Sequence, residues 1–392
     1  MTCTRSKYQI DNHKMVIFGA GKIGRSFIGQ LFSLSGYEVV FVDINKKLIG
    51  DLNQKRQYKV VIKDNTGENI LIIRNVRGVC LNDTDKVICE LADANIAALS
   101  VGQQGLPGAI PVIARALVLR KDLHGDIPLD FIIAENMRNS DQFIGAELGR
   151  YLPHDYPLNE LVGLVETSIG KMVPIMSQKD LEGDPLQVFA EPYNTLIVSK
   201  KGFKNPIPAI KNMDPKENVK AWVDRKLFIH NLGHATAAYI GFRKHPRAVY
   251  IYEVLDDPEV FEDTRKTMLQ SAAILMAVYP DEFTFAQLEA HIDDLLYRFR
   301  NRALGDSIFR VGCDLYRKLS PEDRIVAPIK SAITVNKPYD LILNALLAAI
   351  SFRAKDEQGR YFPSDEDFFS EAGKGTDHIL RNICRLNITI QV

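Results

Sequence analysis

Three side chains in residues 224–241, DRKLFIHNLGHATAAYIG, have the types and spacing for proton transfer beside a bound oxygen: Lys226, Asn231 and His234. At about 100° per residue on an α-helix, His234 falls roughly 80° and Asn231 roughly 140° around from Lys226, so all three share one broad face. Leu227, Phe228, Leu232, Ala235 and Ala238 supply the apolar remainder of a buried helix. An amine, an amide and an imidazole on such a face suit general acid–base work and oxyanion stabilisation. The ordinary alternative is a solvated lysine beside a histidine and an asparagine that the fold itself satisfies. His230 and His234, four apart, also have the spacing of a zinc-binding pair. No carboxylate in the segment completes an H-E-x-x-H pattern and no third ligand is identifiable, so no metal is expected.

A second constellation lies near the start of the chain. The apolar run at residues 15–18 enters Gly19-Ala20-Gly21-Lys22-Ile23-Gly24, an apparent helix follows over 25–34, and a second apolar run at 39–42 ends at Asp43. Strand, glycine turn, helix, strand and acid in that order form a dinucleotide-binding unit. Gly19 makes the tight turn, Gly21 lets the backbone approach a pyrophosphate, and Gly24 allows close packing of helix and strand. The helix N-terminus then offers unpaired N–H groups to phosphate, which makes Gly19 to Arg25 the candidate cofactor-binding turn. Asp43 would accept from the adenosine ribose hydroxyls and repel a 2′-phosphate, which favours NAD; Lys46 and Lys47 close by leave room for NADP.

Strand and helix signals alternate through the first half, with an inserted hairpin near 58–73 around Asn65-Thr66-Gly67 and later strands over 162–167 and 187–199, paired antiparallel. The run at 96–101 ends at Gly102, and the run at 131–134 ends at Glu135-Asn136. Ligands on such sheets bind beyond the carboxyl ends of the strands, so Gly102 and Asn136 should face the cofactor cleft, with Glu135 orienting the turn. A second amide at Asn136 would complement Asn231. The polar stretch 200–214 is the natural boundary, giving a Rossmann-type domain over 1–204 and a mainly helical domain over 205–392 with a cleft between them. Helical periodicity is read over 217–241, 258–278, 284–299, 321–334 and 339–352, with no convincing strand.

Composition narrows the partners. The 49 basic and 49 acidic residues cancel, which argues against nucleic acid or an anionic membrane surface. No apolar run approaches the roughly 18 residues of a membrane span, and the polar N-terminus has no signal-peptide core. Five scattered cysteines (Cys3, Cys80, Cys89, Cys313, Cys384) without C-x-x-C spacing fit reduced thiols in a cytoplasmic protein. No element shows an obvious self-association face, so a monomer is expected.

Taken together, GAGKIGR near the start and K-x4-N-x2-H in a later helix resemble the polyol-specific long-chain dehydrogenases, and the likeness runs from Lys14 onward. It includes Ala134-Glu135-Asn136, Glu191-Pro192-Tyr193, Arg310-Val311-Gly312 and the segment RKLSPEDR at 317–324. The resemblance implies metal-independent, NAD-linked polyol oxidation, and within the family a branch that interconverts mannitol 1-phosphate and fructose 6-phosphate. It carries Lys226 over as general base, Asn136 and Asn231 as the pair on the reacting oxygen, and His234 as the residue orienting substrate hydroxyls. Arg317, Lys318 and Arg324 lie in the segment that resembles the phosphosugar branch; the alternative there is a solvated basic helix end.

The chain departs from the family at three places. Gly170-Lys171 stands where an Asp-Arg pair is usual, His230 where an apolar residue is usual, and the extension through His13 has no counterpart. The first two bear on which sugar is bound. Competing readings are a free hexitol, pentitol or hexuronate as substrate, an inactive NAD-binding sensor, and a zinc-dependent polyol dehydrogenase.

Overall fold

The computed structural model describes residues 9–174, 176 and 178–387, and the chain divides into two compact units that meet in sequence at Val219 and Lys220. Cys3 and most of the N-terminal extension lie outside the described residues.

Among the described residues the first unit has eleven strands: β1 (Asp11–Phe18), β2 (Glu38–Asp43), β3 (Gln57–Asp64), β4 (Gly67–Arg74), β5 (Val76–Cys80), β6 (Ala94–Leu99), β7 (Leu129–Ile133), β8 (Val162–Ser168), β9 (Val188–Ala190), β10 (Leu196–Ser199) and β11 (Met213–Lys216). Eight of them form one sheet in the order β11-β10-β8-β7-β6-β1-β2-β5. From β8 to β5 all neighbours are parallel, and β10 joins β8 antiparallel. Both faces of this sheet are covered. Met15, Ile17, Val39 and Phe41 enter one core, while their neighbours Val16, Phe18, Val40 and Val42 enter the other. Alternate side chains point to opposite faces, so burial on both sides produces the continuous apolar runs seen in the sequence.

The inserted hairpin is present as β3 and β4, and β9 extends it in parallel as a separate three-stranded sheet. The expected later strand at 187–199 is therefore two strands serving two sheets. The polar stretch at 200–214 also ends in β11, which pairs with β10. Its sequence, MDPK, gives little strand signal, and Pro215 is tolerated because β11 is an edge.

The expected helix at 25–34 begins as a π-helical turn, Gly24–Gly29, and becomes α-helical over Gln30–Leu34. Gly19 holds a positive φ of 99°. A Cβ on Gly19 would overlap the Ser100 carbonyl, and one on Gly24 would overlap the Gly19 carbonyl, whereas a Cβ on Gly21 would meet nothing within 4 Å.

The described part of the second unit is helical, and its longest helices are Pro258–Val278, Phe285–Phe299, Leu232–Lys244 and Asp340–Ile350. The helix Leu232–Lys244 packs against Pro258–Val278, Ile308–Gly312 and Asp340–Ile350. Gly233 permits that closeness, because a Cβ there would overlap the Met268 side chain. The helix expected over 321–334 starts only at Val326, behind an N-terminal turn in which Ala327 N–H bonds the Asp323 carbonyl. Shorter helices at Ile251–Leu255, Ile308–Gly312, Leu315–Lys318, Asp365–Ala372 and Thr376–Asn382 are too brief for periodicity to reveal.

Cys80, Cys313 and Cys384 are free, as expected, but Cys89 is disulfide-bonded, which corrects the expectation of reduced thiols throughout. No described helix is long and apolar enough to cross a membrane.

The close contact at Gly24 makes a stability prediction. Gly24→Ala should cost about 1–3 kcal/mol by overpacking, read as a lower urea midpoint for unfolding. An unchanged midpoint would show that the Gly19 carbonyl can move aside.

Candidate active site

In the first unit the glycine turn lies where strand order reverses, with β6 on one side of β1 and β2 on the other. Such a switch point opens a crevice beyond the carboxyl ends of the strands. Gly19 follows β1, Asp43 ends β2, and Gly102 follows β6 with a φ of 72°. Asp43 also fastens the turn: Oδ2 accepts the Ala20 N–H at 2.8 Å and Oδ1 the Asn45 N–H at 2.9 Å. A carboxylate has about four lone-pair positions, so capacity remains for a ribose.

Lys22 is exposed and Ile23 half-buried, while Arg25 turns inward. The Arg25 guanidinium donates from Nε to the Ala20 carbonyl at 2.7 Å and from Nη1 to the Leu186 carbonyl at 2.5 Å. The Tyr58 hydroxyl donates to the Arg25 carbonyl at 2.7 Å. The Arg25 side chain thus braces the loop from behind. The open space at Gly21, next to the exposed Lys22, fits a pyrophosphate brought against the chain.

Glu135 is buried and accepts the Gly102 N–H on Oε1 at 3.0 Å, so it orients that turn. Burial raises the Glu135 pKa, and the backbone donors Gly102 and Val101 oppose the rise. Asn136, next along, is exposed. Of the two unusual residues nearby, Lys171 is buried, with its ammonium donating to Asn194 Oδ1 at 2.8 Å and lying 5.3 Å from the centre of the Phe27 ring. Gly170 lies against the Tyr193 ring.

In the second unit Lys226, Asn231 and His234 do not sit on one uninterrupted α-helix. A π turn spans Lys226–Asn231 between the helices Val219–Arg225 and Leu232–Lys244, and the Leu232 N–H reaches back to the Leu227 carbonyl. In an i→i+5 turn, residues five apart stand on the same side, so Asn231 is swung toward Lys226 instead of falling 140° away. The Ser271 hydroxyl, fully buried, donates to the Phe228 carbonyl inside this turn at 2.7 Å.

Lys226 is half-buried, and its pKa is lowered to about 8 by desolvation and then by the Arg324 guanidinium, with Asp323 acting in the opposite direction. His234 lies parallel to the Phe299 ring with centroids 4.5 Å apart. Its pKa is held well below the usual value by burial and by Arg310, Arg324, Lys318 and Arg298, so the ring is neutral at neutral pH. His230 is buried 5.5 Å from the Phe299 ring centre and 6.4 Å from His234, and burial likewise depresses its pKa. Among the described residues no three His, Cys, Asp or Glu side chains cluster so as to hold a metal ion.

The three basic residues expected to meet a phosphate are placed differently. Arg317 is half-exposed, donating from Nε to Asp314 at 2.5 Å and from Nη1 to Asp323 at 3.1 Å. Lys318 is buried, with its ammonium on the Val311 carbonyl at 2.7 Å. Arg324 pairs with Asp323 at 2.8 Å and acts on both Lys226 and His234. Arg324 therefore acts on Lys226 and His234 and Lys318 on His234, whereas Arg317 is tied to two carboxylates.

Sequence reasoning missed Asp306, which is buried within 3.3 Å of His234 Nε2, and Arg310 was noted only as part of a motif. A buried aspartate followed four residues later by arginine is a weak signal without the fold.

Residues 13–212 match the mannitol dehydrogenase Rossmann domain, and residues 218–380 match the mannitol dehydrogenase C-terminal domain. A D-sorbitol dehydrogenase solved without substrate is similar, with a TM-score of 0.78 and 16% identity over 97% of this chain and 90% of the other. Pseudomonas fluorescens mannitol 2-dehydrogenase, solved as a ternary complex with NAD and D-mannitol, gives a TM-score of 0.70 and 17% identity over 97% of this chain and 88% of the other. At these identities the two structures establish likeness of fold. The two domain matches together span most of the chain, which therefore belongs to the mannitol dehydrogenase family and is an NAD-dependent oxidoreductase acting on secondary alcohols.

Proposed function

We propose that the chain interconverts mannitol 1-phosphate and fructose 6-phosphate, the activity of a mannitol-1-phosphate 5-dehydrogenase. The observation that carries this reading is the charge around His234: Arg298, Arg310, Lys318 and Arg324 all act on it. Basic side chains gathered around His234 suit a polyol bearing a phosphate.

Oxidising a secondary alcohol requires removal of its O–H proton as hydride leaves the carbon. NAD, when bound, accepts that hydride. Lys226 takes the proton as a neutral amine, a form that an ordinary lysine with a pKa near 10.4 would rarely supply at neutral pH. Desolvation and Arg324 disfavour its ammonium and bring the value to about 8, which makes the amine accessible. Asn231 donates an amide N–H to the developing alkoxide; one such donor is typically worth ~10²–10³ in rate. His234, neutral, orients a neighbouring hydroxyl. In the reductive direction the Lys226 ammonium returns its proton to the new hydroxyl.

A second reading, a free hexitol, pentitol or hexuronate as substrate, is favoured by the engagement of Arg317 with Asp314 and Asp323 and of Lys318 with the Val311 carbonyl. These groups already have partners inside the protein.

Three outcomes are expected. NADH oxidation, followed by absorbance with EDTA present, should be much faster with fructose 6-phosphate than with fructose; a preference for fructose would move the enzyme to the free-polyol reading. Lys226→Ala should lower kcat by about 10²–10⁴-fold while leaving NADH affinity nearly unchanged, and retention of turnover would remove Lys226 from the mechanism. Since the base must be neutral for oxidation, kcat for polyol oxidation should rise with pH through about 8 and level off above it. Ketose reduction, which needs the ammonium, should fall over the same range, and pH-independent rates would rule out titration of Lys226 at that value.

A further inference from the structure

Two buried polar atoms beside the reactive helix face each other. His234 Nε2 and Asp306 Oδ2 are 3.3 Å apart, and neither has another hydrogen-bond partner within the protein. The His234 side chain retains 12% of its exposure and that of Asp306 only 5%. A buried carboxylate oxygen without a donor is costly, and so is a buried ring nitrogen without a partner. Both costs are relieved if the ring carries its proton on Nε2 and directs it at Oδ2.

The carboxylate is also fixed in place. Asp306 follows Gly305, which has a φ of 63°, and precedes Ser307, whose hydroxyl caps the helix Ile308–Gly312 by accepting the Arg310 N–H. The Ile251 N–H bonds the Asp306 carbonyl at 2.9 Å, and the Ile308 N–H bonds the Val249 carbonyl at 2.8 Å. The other carboxylate oxygen, Oδ1, accepts from the Arg310 guanidinium. Phe299, parallel to the imidazole, sets the plane of the ring, and Asp306 can therefore set its orientation within that plane.

We propose that Asp306 is the positioning residue for His234, holding the imidazole proton on Nε2 so that Nδ1 is left as the acceptor for a substrate hydroxyl. A neutral imidazole has one donor and one acceptor nitrogen, and the partner of the first decides which is which. Asp306 does not touch substrate in this role. It makes His234 specific for a group that donates a hydrogen bond, a hydroxyl, and unfavourable to one that only accepts. The inference rests on the reading of His234 as the residue that orients substrate hydroxyls.

The test is nitrogen NMR on the full chain labelled with ¹⁵N-histidine, with His234 assigned among the eight histidines by comparison with His234→Gln. The wild-type ring should show a protonated Nε2 and an unprotonated Nδ1; a ring protonated on Nδ1 would overturn the proposal. Asp306→Asn, close in shape, should change that pattern or mix the two tautomers, and an unchanged pattern would also overturn it. In the same variant, kcat for ketose reduction should fall by about 10²-fold or more, with KM for NADH unchanged, as expected for an oriented histidine that loses its tautomer. Asp306→Glu, which keeps the carboxylate, should recover part of both signals. The wild-type spectrum needs no substrate, and His234→Gln serves only for assignment, so the tautomer is decided even if the polyol phosphate proves to be the wrong substrate.

Discussion

A helix that winds one extra residue into a turn disturbs its regular backbone hydrogen bonding, and in the second unit this happens where the reactive side chains stand. The π turn Lys226–Asn231 exchanges the i→i+4 pattern for an i→i+5 bond to the Leu227 carbonyl. Its neighbours compensate: Ser271 donates to the Phe228 carbonyl from the helix Pro258–Val278, and Gly233 lets that helix come close. The result is a lysine and an asparagine carried on the same side of one turn. Short π segments recur at functional sites because they re-aim side chains without ending the helix.

Electrostatics around that turn follows from burial. Desolvation acts on Lys226 and His234 in the same direction, against the charged form, and the surrounding guanidinium groups add to it. In the proposed mechanism the lysine is thereby a usable base and the imidazole a neutral hydrogen-bonding group, two basic residues eight apart with different tasks. Asp306 and Asp323 supply the carboxylates that keep Arg310, Arg317 and Arg324 in position. Two of the cations that surround His234, Arg310 and Arg324, are in this way held by carboxylates.

The first unit answers a different requirement, that of letting a phosphate approach the backbone. Gly19 and Gly24 are needed because their neighbours leave no room for a Cβ, whereas Gly21 faces open space. Asp43 and Arg25 hold the loop from its two sides, through the Ala20 N–H and the Ala20 carbonyl respectively. Asp43, read as a ribose acceptor, thus shapes the loop as well, and Arg25 acts from beneath it.

Local pattern was enough for the parts of this protein that depend on short-range rules. The parallel sheet follows from apolar runs buried on both faces, the glycine turn from its strand and helix flanks, and the hairpin from its alternation around Asn65. The helices Pro258–Val278 and Phe285–Phe299 follow from their periodicity and their Asp257 and Thr284 caps. Lys226, Asn231 and His234 were legible as a group because their spacing lies within a few turns. What periodicity could not supply was the π turn, which breaks the 100° rule used to place them, or the edge strand β11, whose pairing outweighs its polar composition. Nor could it supply Asp306, 72 residues beyond His234. Contacts between distant segments depend on how helices pack, and only that packing set Asp306 against the imidazole, Lys318 on the Val311 carbonyl and Ser271 on the π turn.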